Sequence, residues 1–196
     1  MEKSVKRQKF DGEGILYARQ TVAKMLYQAA DTLPLGFKLK FFDAYRPLEF
    51  QRMLFEEEYQ RTKKANPGLD ESEIRKIVFV SVYPPSYDLQ KPPPHSTGGA
   101  IDLTILDQSE KELDMGSRYC EFGESMHTNY PNLTSSQAKN RLILLNTMLN
   151  AGFANFPGEW WHYMYGEREY VAYTSKIIGK AMTAIYAGTK TKQEVE

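Results

Sequence analysis

Two short segments carry the residues best suited to chemistry: His95-Ser-Thr-Gly-Gly-Ala-Ile-Asp102 and Glu159-Trp-Trp-His162. Together they offer two imidazoles and a carboxylate, a ligand set that a catalytic zinc uses while its fourth position holds water. Glu159 is a further carboxylate able to take that water's proton. Cys120 is the one cysteine, which excludes an internal disulfide and a thiolate-rich zinc site. A metal here must be held by histidine and carboxylate.

A third segment, Asp43-Ala-Tyr-Arg46-Pro47, places Arg46 where a strand gives way to a helix. Its planar fork suits a carboxylate or an oxyanion, although a surface salt bridge is the plainer reading. Glu159 and His162 are three apart, so on a regular strand they would face opposite ways. A bulge or bend near Trp160 would bring both into one cleft, or Glu159 would reach in from a turn. Trp160 and Trp161 would wall such a site and keep it dry, or would simply fill a core. His127, in a polar loop, reads as solvated.

These residues need elements to position them. Val22, Met25, Leu26, Ala29 and Ala30 recur at helical spacing between Thr21 and Asp31. Lys38–Asp43 reads as a strand. Pro47 suits the first turn of a helix that contains Phe50, Met53 and Leu54 and stops before Asn66-Pro67-Gly68. Asp70 with Glu73 forms a capping-box pattern ahead of Ile74, Ile77 and Val78. Residues 83–94 contain five prolines and read as an extended loop that would hold His95 extended as well. Ala100–Leu106 alternates as a strand, with Ile101, Leu103 and Ile105 on one face and Asp102 and Thr104 on the other. Gly98 and Gly99 allow a tight turn and a close approach before it. Thr134 with Gln137 caps a long helix whose apolar side would be Ala138, Leu142, Leu145 and Leu149, closing near Gly152. Residues 153–156, Pro157-Gly158 and 159–165 read as a hairpin, and a last helix as running from about Tyr173 to Tyr186. This order predicts one α+β domain over 15–188, with helices packed on a mainly antiparallel sheet. Residues 1–14 read as a loose arm and 189–196 as a polar tail.

Composition narrows the classes. The 196 residues suit one domain with a sizeable core. Apolar residues are 41% and charged residues 26%, as in an ordinary globular protein. Lys+Arg and Asp+Glu are both 25, so bulk charge predicts no nucleic-acid or membrane partner. No apolar run approaches the roughly 18–20 residues of a membrane span. The charged start, Met-Glu-Lys-Ser-Val-Lys-Arg, lacks a signal peptide's apolar stretch. The expected location is the cytoplasm, or the periplasm if a leader has been removed.

In their order and combination, the three segments resemble the zinc D-alanyl-D-alanine dipeptidases, the vancomycin-resistance type enzymes and their bacterial relatives. Leu113-Asp-Met-Gly-Ser-Arg118 and Asn140-Arg141 fit the same pattern, and the likeness runs from about Gly14 to the last helix. The histidine–aspartate and histidine spacing is shared with D,D-carboxypeptidases and endolysins. The Trp-Trp pair and the Asp-Ala-Tyr-Arg-Pro segment point to the dipeptidase branch. The resemblance implies zinc, one per chain, in a central cleft on His95, Asp102 and His162. It implies Glu159 as general base and then acid, Arg46 as stabiliser of the tetrahedral intermediate, and a small D-dipeptide as substrate in cell-wall peptide metabolism.

This chain departs from the family pattern at two places. The aspartate that holds the substrate's ammonium in relatives is matched by Cys120, with Glu121 the neighbouring carboxylate that a one-residue shift would bring in. Relatives also carry several tens of residues ahead of the region matching Gly14, so the expectation is either a more open site here or a truncated chain. Both departures favour, as alternatives, a D,D-carboxypeptidase acting on longer cell-wall peptides or a zinc domain that binds such peptides without cutting them.

Overall fold

A computed structural model describes residues 5–6 and 15–189. Its centre is β4 (Ala100–Leu106), a strand buried on both faces except at Leu106. On one side it pairs with β3 (Lys38–Asp43) and on the other with β6 (His162–Met164), which pairs in turn with β5 (Ala154–Asn155). All three pairings are antiparallel. Ile101, Leu103 and Ile105 point into the main core with Trp160, Trp161 and Tyr163, as their alternation predicts. Against this sheet pack α1 (Gln20–Asp31), through Val22, Met25, Leu26 and Ala29, and α4 (Ser135–Asn150). The result is the expected α+β sheet-and-helix domain.

The register of the sheet builds the site. Asp43 lies opposite Asp102, and Asp102 opposite His162, so the three stand in one row across adjacent strands. Directly opposed residues share a face, with Cβ atoms about 4.5–5.5 Å apart. The β3 register shifts between Phe41 and Asp43, and this irregularity brings Asp43 into the row.

Both capping boxes form. Asp70 and Glu73 open α3 (Glu71–Ser81), and Thr134 and Gln137 open α4. Pro47 stands just outside α2 (Leu48–Ala65), at its N-cap position. α2 and α3 pack on one another around a small core of their own, Phe55, Tyr59, Ile74 and Val78.

Four expectations need correction. α4 turns a different face inward: Arg141, Leu144, Thr147 and Met148 are buried, while Leu142 and Leu149 are 54% and 46% exposed. Arg141 explains this rotation, because it donates to carbonyls of the preceding loop at Met115 and Ser125, both 2.6 Å away. The last helix, α5, is Arg168–Ile178. Glu167 caps its start by accepting from the Glu169 and Tyr170 N–H groups, and left-handed Gly179 ends it. Residues 180–189 then return across the molecule, where Ile185 N donates to Gly166 O and Thr189 N to Ser96 O. His95 is not on extended chain: Pro94–Thr97 form a 3₁₀ turn, left at Gly98 with φ +72°. Finally, within the arm, Val5–Lys6 (β1) pairs antiparallel with Ile15–Leu16 (β2). The rest of residues 1–14, and 190–196 of the tail, lie outside the described residues.

Candidate metal centre

His95 is placed by a 3₁₀ turn that is stitched to the strand-to-helix corner. Arg46 N donates to His95 O at 3.1 Å, and Ser96 Oγ donates to Arg46 O at 2.9 Å. A β-carbon on Gly99 would come within 2.6 Å of Tyr165 O, so only glycine lets β4 and the chain after β6 approach this closely there. His95 Nδ1–H donates to Ala44 O at 2.8 Å. That bond fixes the tautomer and turns the Nε2 lone pair inward.

Three groups meet at this point. His95 Nε2 lies 3.2 Å from His162 Nδ1 and 3.4 Å from Asp102 Oδ1, and His162 Nδ1 lies 2.9 Å from Asp102 Oδ1. All three residues are buried, and their ligand atoms lie within 4.8 Å of one another. Two imidazoles and a carboxylate on one point, with one imidazole oriented by a backbone carbonyl, fit a zinc site in donor chemistry and in spacing. Burial alone would raise the Asp102 pKa, but the imidazoles hold it well below the usual carboxylate range. Burial alone would lower that of His162, but its bond to Asp102 raises it.

Glu159 reaches the centre from a turn, the second of the two routes open to it. Strand β6 begins only at His162, and His162 N donates to Glu159 O at 3.2 Å. Glu159 Oε2 stands 3.9 Å from His162 Nδ1. Burial pushes the Glu159 pKa up to about 7, against the opposing pull of His162. A nearby cation would draw it down again, which suits a base working near neutrality.

Arg46 is not a surface salt bridge. Its Nε and Nη2 both donate to Asp43 Oδ2, at 2.9 and 2.6 Å, and its Nη1 donates to Gln51 Oε1 at 2.8 Å. Asp43 is itself fixed by the Ala44 N–H, and Gln51 donates to Tyr83 O. Burial alone would lower the guanidinium's pKa, but Asp43 raises it, so the charge is permanent and held in one orientation. The Asp43/Arg46 spacing within the quoted motif was the sequence signal for this clamp.

His95, Asp102, His162, Glu159, Arg46, Trp161, Cys120 and Glu121 all line one cleft of about 920 Å³. Trp161 is both core and wall, 1% exposed and edge-on to Tyr119. Cys120 has φ +58°, and its thiol pKa is pushed up to about 12 by the desolvation of its place in the cleft. Glu121 Oε2 accepts the Arg118 N–H at 2.9 Å. His127 is exposed and outside the cleft. Two contributors were given no role by the sequence: Tyr119, whose hydroxyl donates to Asp102 Oδ2 at 3.1 Å, and Arg141, marked there by the resemblance alone, which anchors the loop carrying residues 119–121.

Fold and site together present a candidate metal centre, two histidines and an aspartate beside a glutamate on an antiparallel sheet. The family model described as D-Ala-D-Ala dipeptidase matches residues 3–179. The chain is 33% identical over 182 residues to a D-alanyl-D-alanine dipeptidase of Synechocystis, covering 81% of this chain and 73% of that protein. Over 130 residues it is 33% identical to the enzyme of that name from Escherichia coli, covering 65% and 55% of the two chains. Over 141 residues it is 31% identical to the one from Enterococcus faecium, covering 69% and 65%. Thus it spans just over half of the Escherichia coli relative.

The chain belongs to the D-Ala-D-Ala dipeptidase family of hydrolases. Its fold is also that of VanYB in complex with D-Ala-D-Ala (TM-score 0.53, 16% identity, 89% and 83% of the chains). It is shared too with the zinc complex of a vancomycin-resistance D,D-pentapeptidase VanY variant (TM-score 0.52, 16% identity, 88% and 85%). Among the described residues, no helix is long and apolar enough to cross a membrane.

Proposed function

We propose that this chain hydrolyses D-Ala-D-Ala in cell-wall peptide metabolism, with one zinc per chain on His95, Asp102 and His162. The observation that carries the reading is the meeting of those three ligand atoms within 4.8 Å, beside a buried Glu159. Zinc bound there supplies Lewis acidity and lowers the pKa of water toward about 7. Glu159 takes the proton of the attacking water and returns it to the leaving amine. Arg46, locked by Asp43 and Gln51, stabilises the oxyanion as it forms and needs no reorganisation to do so. Trp161 keeps water out of the back of the site. Cys120 stays a neutral thiol and offers an ammonium no charge, so Glu121 is the carboxylate that pairs the substrate's free amino group. Release of D-alanine from D-Ala-D-Ala by the zinc-loaded protein, above a metal-stripped control, tests the reading; no release refutes it.

One observation favours a second reading. A cleft of about 920 Å³ lies near the top of the range for small-ligand sites, roughly 300–1,000 Å³, and its far wall is α2 with the end of α3. A D,D-carboxypeptidase acting on longer cell-wall peptides would use that space. N-acetylated D-Ala-D-Ala separates the two: a dipeptidase loses the blocked substrate, and a carboxypeptidase retains it.

Zinc affinity should also depend on pH. Asp102 raises the His162 pKa above its ordinary 6.5 in the metal-free protein, and zinc must displace that proton. Apparent affinity is therefore expected to fall about tenfold per pH unit below that raised pKa. The protonated His162 stabilises the metal-free fold fully below 6.5, and this contribution is lost as pH rises through the raised pKa. Melting curves with zinc and with chelator should diverge as pH rises. Parallel curves would contradict the assignment of His162 as a ligand.

A further inference from the structure

Beyond the ligands, Glu159 and Arg46, the Tyr119 hydroxyl also touches the centre directly. It donates to Asp102 Oδ2 at 3.1 Å, while Oδ1 of the same carboxylate faces both imidazoles, 2.9 Å from His162 Nδ1 and 3.4 Å from His95 Nε2. The ring has little freedom. It stacks on Phe42 with centroids 4.3 Å apart and planes at 9°, and it meets the edge of Trp161 at 5.5 Å. The loop that carries it is held by Arg141 through the carbonyls of Met115 and Ser125.

We propose that Tyr119 is a positioning residue for the metal: by engaging Oδ2, it presents Asp102 to the ion through Oδ1 alone. The proposal rests on reading His95, Asp102 and His162 as ligands. A carboxylate with both oxygens free can rotate, or can grip a cation with both. Two-oxygen binding would fill a coordination position that a peptidase needs for water or for the scissile carbonyl oxygen. A hydrogen bond to one oxygen removes both alternatives and leaves the carboxylate aligned before the ion arrives. It also couples the loop bearing Cys120 and Glu121 to the metal ligand, so the substrate-facing wall and the ion are set by one side chain.

The test is Tyr119→Phe, which keeps the ring and its packing and deletes the hydroxyl. Zinc affinity is read by competition with a chromophoric chelator, and ligand geometry from the visible spectrum of the cobalt-substituted protein. Zinc affinity should fall about 10–100-fold, as it does when outer-shell partners are removed elsewhere. The cobalt bands should shift, while the melting temperature of the metal-free protein stays near wild type. Wild-type zinc affinity in Tyr119→Phe overturns the proposal. So does an unchanged cobalt spectrum at saturating metal, which reads geometry whatever the variant's stability. A wild-type chain that binds no zinc removes the ligand reading and this proposal with it, a different result from a variant that binds like wild type.

Discussion

Glu159→Ala is expected to lower D-Ala-D-Ala hydrolysis by about 10²–10⁴-fold, the usual worth of a positioned general base, while the protein keeps its zinc. Two structural facts separate the roles. Glu159 Oε2 is 3.9 Å from His162 Nδ1, whereas the donor atoms of the three proposed ligands lie at 2.9–3.4 Å from one another. Glu159 also comes from a turn, not from the strand row that sets Asp102 against His162. Its pKa, pushed to about 7 by burial in the metal-free protein and drawn down by a cation, suits a carboxylate that starts as a base and takes up a proton during the reaction. Glu159→Gln keeps the shape and should be impaired about as much, because an amide cannot accept the proton. Elemental analysis with a turnover assay decides: zinc lost from Glu159→Ala would make Glu159 a ligand, and near-normal turnover would remove it from the chemistry.

Local signals in the sequence were the reliable ones. Both capping boxes are closed within three residues, by hydrogen bonds the sequence itself encodes, and both formed. β4 was legible because its alternation places Ile101, Leu103 and Ile105 on the core face whatever strands flank it. The face of α4 was not. Leu142, Leu145 and Leu149 repeat at helical spacing, but so do Leu144 and Met148, and the choice fell to Arg141, whose buried bonds go to a loop distant in sequence. An arginine inside an apolar stripe reads as solvent-facing unless those carbonyls are known. The start of α5 was hidden because its cap is Glu167, outside the usual Ser, Thr, Asp and Asn. At the site, the residues that meet, His95, Asp102 and His162, were legible in type and spacing, whereas the row Asp43–Asp102–His162 and the Tyr119 contact depend on strand register and loop placement, which no local pattern carries.

The other large effect is expected at Asp102. Asp102→Asn should cost more zinc affinity than the roughly 10–100-fold typical of an outer-shell partner, and hydrolysis should fall with metal occupancy. The side chain keeps its size, so packing around β4 is preserved and what is lost is the charge. In the metal-free protein that charge is itself a burden: a carboxylate 3% exposed, held ionised chiefly by the two imidazoles it touches. Metal-free Asp102→Asn is therefore expected to be at least as stable as metal-free wild type above the raised pKa of His162, where that residue has given up its proton. At acid pH the wild type should regain ground, because Asp102 no longer raises the His162 pKa in the variant. Melting curves under chelator across pH, with zinc content, check both limbs. A variant that keeps its zinc would take Asp102 out of the ligand set. A variant that fails to fold would make its carboxylate structural. The expected pattern, metal lost and fold kept, follows from the strand register that sets Asp102 against His162 and the 3₁₀ turn that brings His95 to them, a buried meeting of ionisable groups that a bound cation balances better than a proton does.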